Sequence, residues 1–263
     1  MRALYAASTG MQAQELNVQV ISNNIANLRT TGYKRQRAQF QDLLYDTLRR
    51  AGTATSEQNT QVPSGIQLGS GVKTASTARV MSQGTLTPTE QQYDVAIRGD
   101  GFFQVTLPDG RTAYTRDGSF ELDGTGQLVT HDGYLINPQI TVPQNASSIS
   151  ISASGIVQAT VPTSTTPTTL GTLQLARFIN RGGLESIGDN LFVETAASGQ
   201  PITGNPQAEG FGSLQQSYLE EANVNAVTEI SSLIAAQRAY EMNAKVVTAT
   251  DQMLSTTSQM FRG

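Results

Sequence analysis

Apolar residues in the first thirty positions recur at alternating intervals of three and four: Leu4, Ala7, Met11, a polar Gln14, then Val18, Ile21, Ile25 and Leu28. That spacing is the seam of a coiled coil. At the other end Leu233, Tyr240, Val247, Leu254 and Phe261 recur every seventh residue, beside a second row of Ala239, Val246, Met253 and Met260. No Gly or Pro occurs between residues 11 and 31 or between 213 and 262. Propensity therefore agrees with pattern, and both termini are predicted to be long amphipathic helices.

Two readings of these helices stand side by side. They pack on each other or on the middle of the chain as ordinary core, or they join helices of other copies in a bundle. A narrow seam favours the bundle, because one partner helix leaves Leu16, Val20, Ile230 and Ile234 uncovered. Amides lie along the same stretches: Asn17, Asn24 and Asn27 in the first helix, Gln237, Asn243 and Gln252 in the second. A polar residue in a seam fixes register, since a slipped pairing leaves it unsatisfied, whereas on a solvated face it does nothing.

From about Tyr93 the period changes to short β-rich runs in "YDVAIRGDGFFQVTLPDGRTAYTRDGSFELDGTGQLVTHDGYLI". Asp-Gly pairs at 109–110, 117–118, 123–124 and 132–133 punctuate it, predicting antiparallel hairpins. No EF-hand spacing accompanies these aspartates, so they are read as turn residues and not as calcium ligands. "QATVPTSTTPTTLG" is read as an exposed break, and strand-like runs resume at "LQLARFIN" and "NLFVET". Residues 46–75 are polar, glycine-containing and aperiodic, which suggests an extended connector.

The fold class expected is α+β, with long N- and C-terminal helices in a coiled-coil-like domain and a central all-β domain of antiparallel hairpins. The division expected is a discontinuous helical domain of residues 1–32 and 221–263, a connector of 33–80 and a β-rich domain of 81–220.

Composition removes most other functions. A net charge of −4 with pI near 5.1 leaves no basic footprint for nucleic acid. Cysteine is absent, which excludes disulfides and thiolate chemistry. No apolar run approaches the roughly eighteen residues that span a bilayer, so no membrane insertion is expected. The N-terminus lacks the apolar stretch of a signal peptide, so export without a cleaved leader, or none, is expected. His131 is the only histidine, and no nucleophile elbow or phosphate loop occurs. Glu220 and Glu221 are read as a pair on a helix edge. No active site, metal or cofactor is expected, and the chain is read as a non-enzyme.

Three blocks carry a family resemblance. "SNNIANLRTTGYKRQRAQFQDLLY" at 22–45 resembles the N-terminal signature of the bacterial flagellar rod and hook proteins. The stretch from "DVAIRGDGFFQV" to "THDGYLI" is similar to their β-region, and "EANVNAVTEISSLIAAQRAYEMNAKVVTATDQML" at 221–254 to their closing helix. Length and connector look most like the distal-rod branch of that family. Proximal-rod members resemble it less in the connector, and hook members carry a larger outer domain; the reading from another class is a secreted β-domain adhesin or enzyme displayed on a helical stalk.

The resemblance implies a homo-oligomeric helical tube with the terminal helices inside and the β-domains outside, transmitting motor torque to the hook and passing export substrates. It implies proximal-rod proteins, hook protein and the surrounding P and L rings as partners. It also implies uncleaved type III export and a place in the periplasmic basal body. The subunit interface expected comprises Leu4, Met11, Val18, Ile21, Asn24, Ile25, Asn27, Leu28, Gly32, Leu233, Gln237, Tyr240, Val247, Leu254 and Phe261. Gly32 is expected to free the backbone at the helix exit, with Lys34, Arg35 and Arg37 opening the contacts of the connector.

Overall fold

The computed structural model describes residues 2–52, 63–162 and 166–260. Two helices and a central, mostly β region are present, and the chain divides into two compact units. The helical unit comprises Met1–Ile25, Gln36–Ala78 and Asn225–Gly263; the central unit comprises Ala26–Arg35 and Arg79–Val224.

In the helical unit, α1 (Arg2–Ala26) and α2 (Ala226–Met260) are the two long terminal helices. Asn225 caps α2: its Oδ1 accepts from the Thr228 backbone N–H at 3.1 Å, satisfying one of the first-turn donors. The closing helix thus starts at Ala226, five residues later than the 221 read from the block. Glycine in mid-helix costs about 1 kcal/mol relative to alanine, yet α1 carries Gly10. A methyl group there would meet the Asn243 amide at 2.8 Å, so the glycine admits close approach of α2. Asn24 Nδ2 donates to Glu229 Oε2 at 3.2 Å. Positions 10 and 24 are as far apart as 229 and 243, so these two contacts set the helices antiparallel in one register.

The segment read as aperiodic is paired over its described residues. Strands β1 (Gln36–Asp42), β2 (Tyr45–Arg49), β3 (Ile66–Gly69) and β4 (Val72–Arg79) form a long hairpin, β2 on β3 and β1 on β4. Every residue of β2 and β3 is exposed, so no inside–outside alternation existed for the sequence to display. Residues 53–62 of the expected connector lie outside the described residues.

The central unit continues with β5 (Leu86–Pro88), β6 (Val95–Arg98), β7 (Phe102–Thr106), β8 (Thr112–Thr115), β9 (Phe120–Leu122), β10 (Leu128–Thr130) and β11 (Leu135–Asn137). Then come β12 (Ser148–Ile151), β13 (Ile156–Thr160), β14 (Thr168–Thr172), β15 (Leu175–Arg177), β16 (Glu185–Gly188), β17 (Leu191–Val193) and β18 (Ile202–Gly204), and finally β19 (Ser213–Gln216) and β20 (Tyr218–Glu220). Pairing is antiparallel throughout, as the Asp-Gly punctuation predicts. Pairs 109–110, 123–124 and 132–133 close the hairpins β7–β8, β9–β10 and β10–β11. The pair at 117–118 instead joins β8 to a strand it does not pair with. Part of the Thr/Pro-rich break, 163–165, lies outside the described residues.

Strand β7 organises the core because both of its faces are covered. Phe103 and Val105 point into a large apolar cluster with Ile97, Phe120, Ile136, Leu173 and Leu175. Phe102 points the other way, into a smaller cluster with Tyr114, Phe178, Leu184 and Phe192. There Tyr114 and Phe178 meet edge to face, ring centres 4.8 Å apart.

Candidate subunit interface

Within the helical unit the fully buried face of α1 is Ala7, Ala13, Val20, Ile21 and Asn24. At about 100° per residue, that face is turned roughly a quarter-turn from the predicted seam. Leu4, Met11, Val18 and Ile25 lie at its margin and are half-buried; Ala7 and Ile21 belong to both. In α2 only Glu229 and Ala236 are buried. Leu233 and Val247 are half-buried, while Gln237, Tyr240 and Leu254 are exposed. Phe261 lies outside the described residues.

Exposure increases toward the end of α2. Every residue of 251–260 is exposed, including Met253 at 62%, Leu254 at 48% and Met260 at 79%. Farther back on the same helix Val227, Ile230, Ile234, Met242 and Val246 are exposed as well. Scattered apolar residues are ordinary on a surface, but a helix carrying this many along most of its length marks an interaction face.

Asn24 makes an intrachain anchor in the helical unit. Its Oδ1 accepts from the Gln36 N–H at 2.9 Å and its Nδ2 donates to the Gln36 carbonyl at 2.8 Å, the exchange a neighbouring strand would make. The same Nδ2 reaches Glu229. Both side chains are 1% exposed, so the amide ties the end of α1, the start of the hairpin and the start of α2 at one point.

The rest of the Thr-Thr-Gly-Tyr-Lys motif folds into the central unit. Asn27 Oδ1 accepts from Thr30 Oγ1 at 3.1 Å, and Leu28 is half-buried. Gly32 is buried at φ +68, in the left-handed region that favours glycine, and donates its N–H to the Glu220 carbonyl at 2.7 Å. A methyl group at Gly32 would lie 2.8 Å from the Arg116 carbonyl carbon and the Asp117 nitrogen. Two residues on, Lys34 is buried at 2% exposure. Its Nζ donates to Glu220 Oε1 at 2.5 Å and to the Ser82 carbonyl at 2.9 Å. Arg116 Nη1 reaches Glu220 Oε2 at 3.2 Å, and Gly84 N–H donates to Oε1 at 2.8 Å. Glu220 therefore ends strand β20 as the centre of a buried ionic node, and it is not on a helix edge. Burial pushes the Lys34 ammonium below its ordinary pKa against the opposing pull of Glu220, and it lowers Arg116 in the same way.

Asn223 closes a second clamp beside the node. Its Oδ1 accepts from Arg35 N–H at 2.7 Å, and its Nδ2 donates to the Val80 and Ser82 carbonyls at 2.8 and 3.0 Å. Sequence pattern does not single out Arg116, Asn223 and Glu229, and it misplaces Glu220, because their partners lie far away along the chain. Asn225 did carry a local signal, an Asn just ahead of an apolar-periodic run.

No catalytic constellation forms among the described residues. His131 Nδ1 lies 3.3 Å from Glu121 Oε1, both largely exposed. Among the described residues no cluster of His, Cys, Asp and Glu is arranged to hold a metal, and no helix is long and apolar enough to cross a membrane.

Comparison with known proteins converges on one kind of molecule. Three family models match in chain order: flagella basal body rod protein over residues 4–34, the flagellar hook protein FlgE/F/G D1 domain over 96–159, and the flagellar basal body rod FlgEFG protein C-terminal over 215–260. The chain is 56% identical over 260 residues to the flagellar basal-body rod protein FlgG of Caulobacter vibrioides, covering 99% of each. It is 51% identical over 258 residues to FlgG of Buchnera aphidicola subsp. Schizaphis graminum, covering 98% of this chain and 99% of that protein. The flagellar hook protein FlgE of Helicobacter mustelae is 40% identical over 137 residues, 52% of this chain and 30% of that one.

Proposed function

We infer the role of this chain from its family: it belongs to the flagellar basal-body rod proteins of the FlgG type, and it is a structural subunit of the rod and not an enzyme. Its place is the distal rod, where copies assemble into a hollow helical shaft that carries motor torque to the hook and passes export substrates. Full-length similarity to FlgG against half-length similarity to a hook protein favours a rod subunit over a hook subunit.

The observation that carries the assembly reading is the exposed apolar length of α2, above all Met253, Leu254 and Met260 in a stretch that is exposed at every residue from 251 to 260. Helices of neighbouring copies bury it, together with the half-buried seam of Leu4, Met11, Val18 and Ile25, in coiled-coil-like contacts. The interface continues through Gln237, Tyr240 and Phe261. A heterologous contact whose rotation does not close gives a filament. The helical parts, 1–32 and 221–263, form the inner wall, 81–220 forms the outer layer, and 33–80 runs between subunits. Uncharged amides on the inner wall leave neither fixed charge nor sticky apolar patches for an unfolded substrate in transit. Proximal-rod proteins, hook protein and the P and L rings are the neighbours of such a shaft in the periplasm.

Gold labelling of this chain in isolated basal bodies tests the placement. Label confined to the rod segment next to the hook is expected. Label on the hook, or none on basal bodies, would contradict it.

A further inference from the structure

Five Asp-Gly pairs occur in the chain, at 100, 109, 117, 123 and 132. Among aspartyl dipeptides Asp-Gly is the most prone to succinimide formation, because glycine offers no side chain to hinder its own nitrogen. What separates the five is the state of each carboxyl group.

Two of the pairs sit in matching turns. In the β7–β8 turn Leu107 N–H donates to the Arg111 carbonyl and Gly110 N–H to the Leu107 carbonyl, both at 2.9 Å, with Gly110 at φ +82. In the β10–β11 turn Thr130 N–H donates to the Tyr134 carbonyl and Gly133 N–H to the Thr130 carbonyl, both at 2.9 Å, with Gly133 at φ +83. Backbone geometry and the engagement of the glycine nitrogen are therefore the same. The aspartates are not. Asp109 accepts from Arg111 N–H at 3.0 Å and from Arg111 Nε at 2.6 Å, contacts that hold its carboxylate ionised and fixed and lower its pKa. Asp132 is exposed, and its carboxylate accepts no hydrogen bond among the described residues.

The other three aspartates are also engaged. Asp100 pairs with Arg181 Nη1; Asp117 accepts from Ser119 N–H and Asn190 Nδ2; Asp123 accepts from the Thr125 and Gln127 N–H groups at 2.8 Å.

We propose that Asp132 is a site of spontaneous covalent modification, isomerising to isoaspartate through a succinimide formed with Gly133. The reacting form is the protonated carboxyl group. The Gly133 nitrogen bonds to Asp132 Cγ, and the carboxyl hydroxyl departs with the amide proton as one water. Hydrolysis adds one water back. Attack at Cγ restores aspartate; attack at the α-carbonyl carbon gives isoaspartate, with the chain now running through the side-chain carbon. No oxidant or cofactor is needed. The added backbone atom falls in the turn that sets Val129 opposite Leu135.

The test is to incubate the folded full-length chain at neutral pH in heavy-oxygen water, digest it, and quantify isoaspartate and oxygen incorporation at all five pairs by mass spectrometry. Asp132 is expected to convert several-fold faster than Asp109. In denaturant, where the carboxylate contacts are gone, the difference between these two should shrink. Asp132→Glu should abolish the signal at 132 alone. Equal or faster conversion at Asp109 in the folded chain, or a gap that persists in denaturant, would overturn the proposal.

Discussion

Lys34 and Glu220 are separated by 186 positions, yet they meet as a buried ion pair, Nζ to Oε1 at 2.5 Å, with both side chains nearly inaccessible. Arg116 adds a second cation to the same carboxylate. Removing the carboxylate leaves two buried cations without their counter-charge, which costs about 3–5 kcal/mol. Glu220→Ala should therefore lower the urea midpoint of the central unit sharply. Lys34→Met should cost less, because Glu220 keeps Arg116 and the Gly84 N–H. Urea unfolding followed by circular dichroism distinguishes the two, and a larger loss from Lys34→Met would contradict the ranking.

Gly32→Ala is expected to destabilise the chain although it adds only a methyl group. The backbone at φ +68 disfavours any side chain, and the methyl meets backbone atoms at 2.8 Å that cannot swing aside. A loss of about 1–3 kcal/mol follows from strain of this kind. A thermal midpoint equal to that of the parent would show that the turn relaxes freely.

Alkaline pH should act through Tyr114. Desolvation, helped by nearby Glu194, pushes its hydroxyl from 10.0 up to about 12. Below pH 10 the ring is neutral in both folded and unfolded chains and contributes no slope. Above pH 10 the unfolded chain loses the proton first, so stability falls as pH rises from 10 toward 12, by about 2–3 kcal/mol in all. Tyr114→Phe should flatten that fall. The lowered pKa of Lys34 works in the opposite direction below 10.5, favouring the folded chain as pH rises. Matched slopes in parent and Tyr114→Phe chains would remove Tyr114 from the account.

Leu254→Asp separates folding from assembly. Position 254 is 48% exposed in the single chain, so a charge there should change its stability by no more than about 0.5 kcal/mol. In a packed wall of helices the same charge is stranded among apolar groups, and assembly should fail. Normal rods from this variant, checked by electron microscopy, would refute the seam.

Long-period features were legible in the sequence. The 3–4 spacing from Leu4 to Leu28 and the sevenfold spacing from Leu233 gave both helices, and Asp-Gly punctuation gave the hairpins, because helix period and turn chemistry are local properties. Which face of α1 the chain buries for itself was not legible. Gln36, Glu229 and Asn243 settle that, and they enter only through tertiary contact. The outer part of the hairpin left no alternation because every residue of β2 and β3 is exposed. Lys34 is expected with Arg35 and Arg37 to open the contacts of the connector; nothing near it in sequence announces the carboxylate at 220 or the carbonyl at Ser82.

The absence of native cysteine makes one measurement unusually direct. Leu254→Cys places a single thiol on the exposed end of α2, where its reaction with a maleimide reports burial of that position alone. The account predicts rapid labelling of the isolated chain and strong protection in assembled rods, with a control Cys at Asp132 on the exposed β10–β11 turn measured in parallel. Equal labelling of position 254 in chain and rod would contradict the claim that neighbouring copies cover the helix.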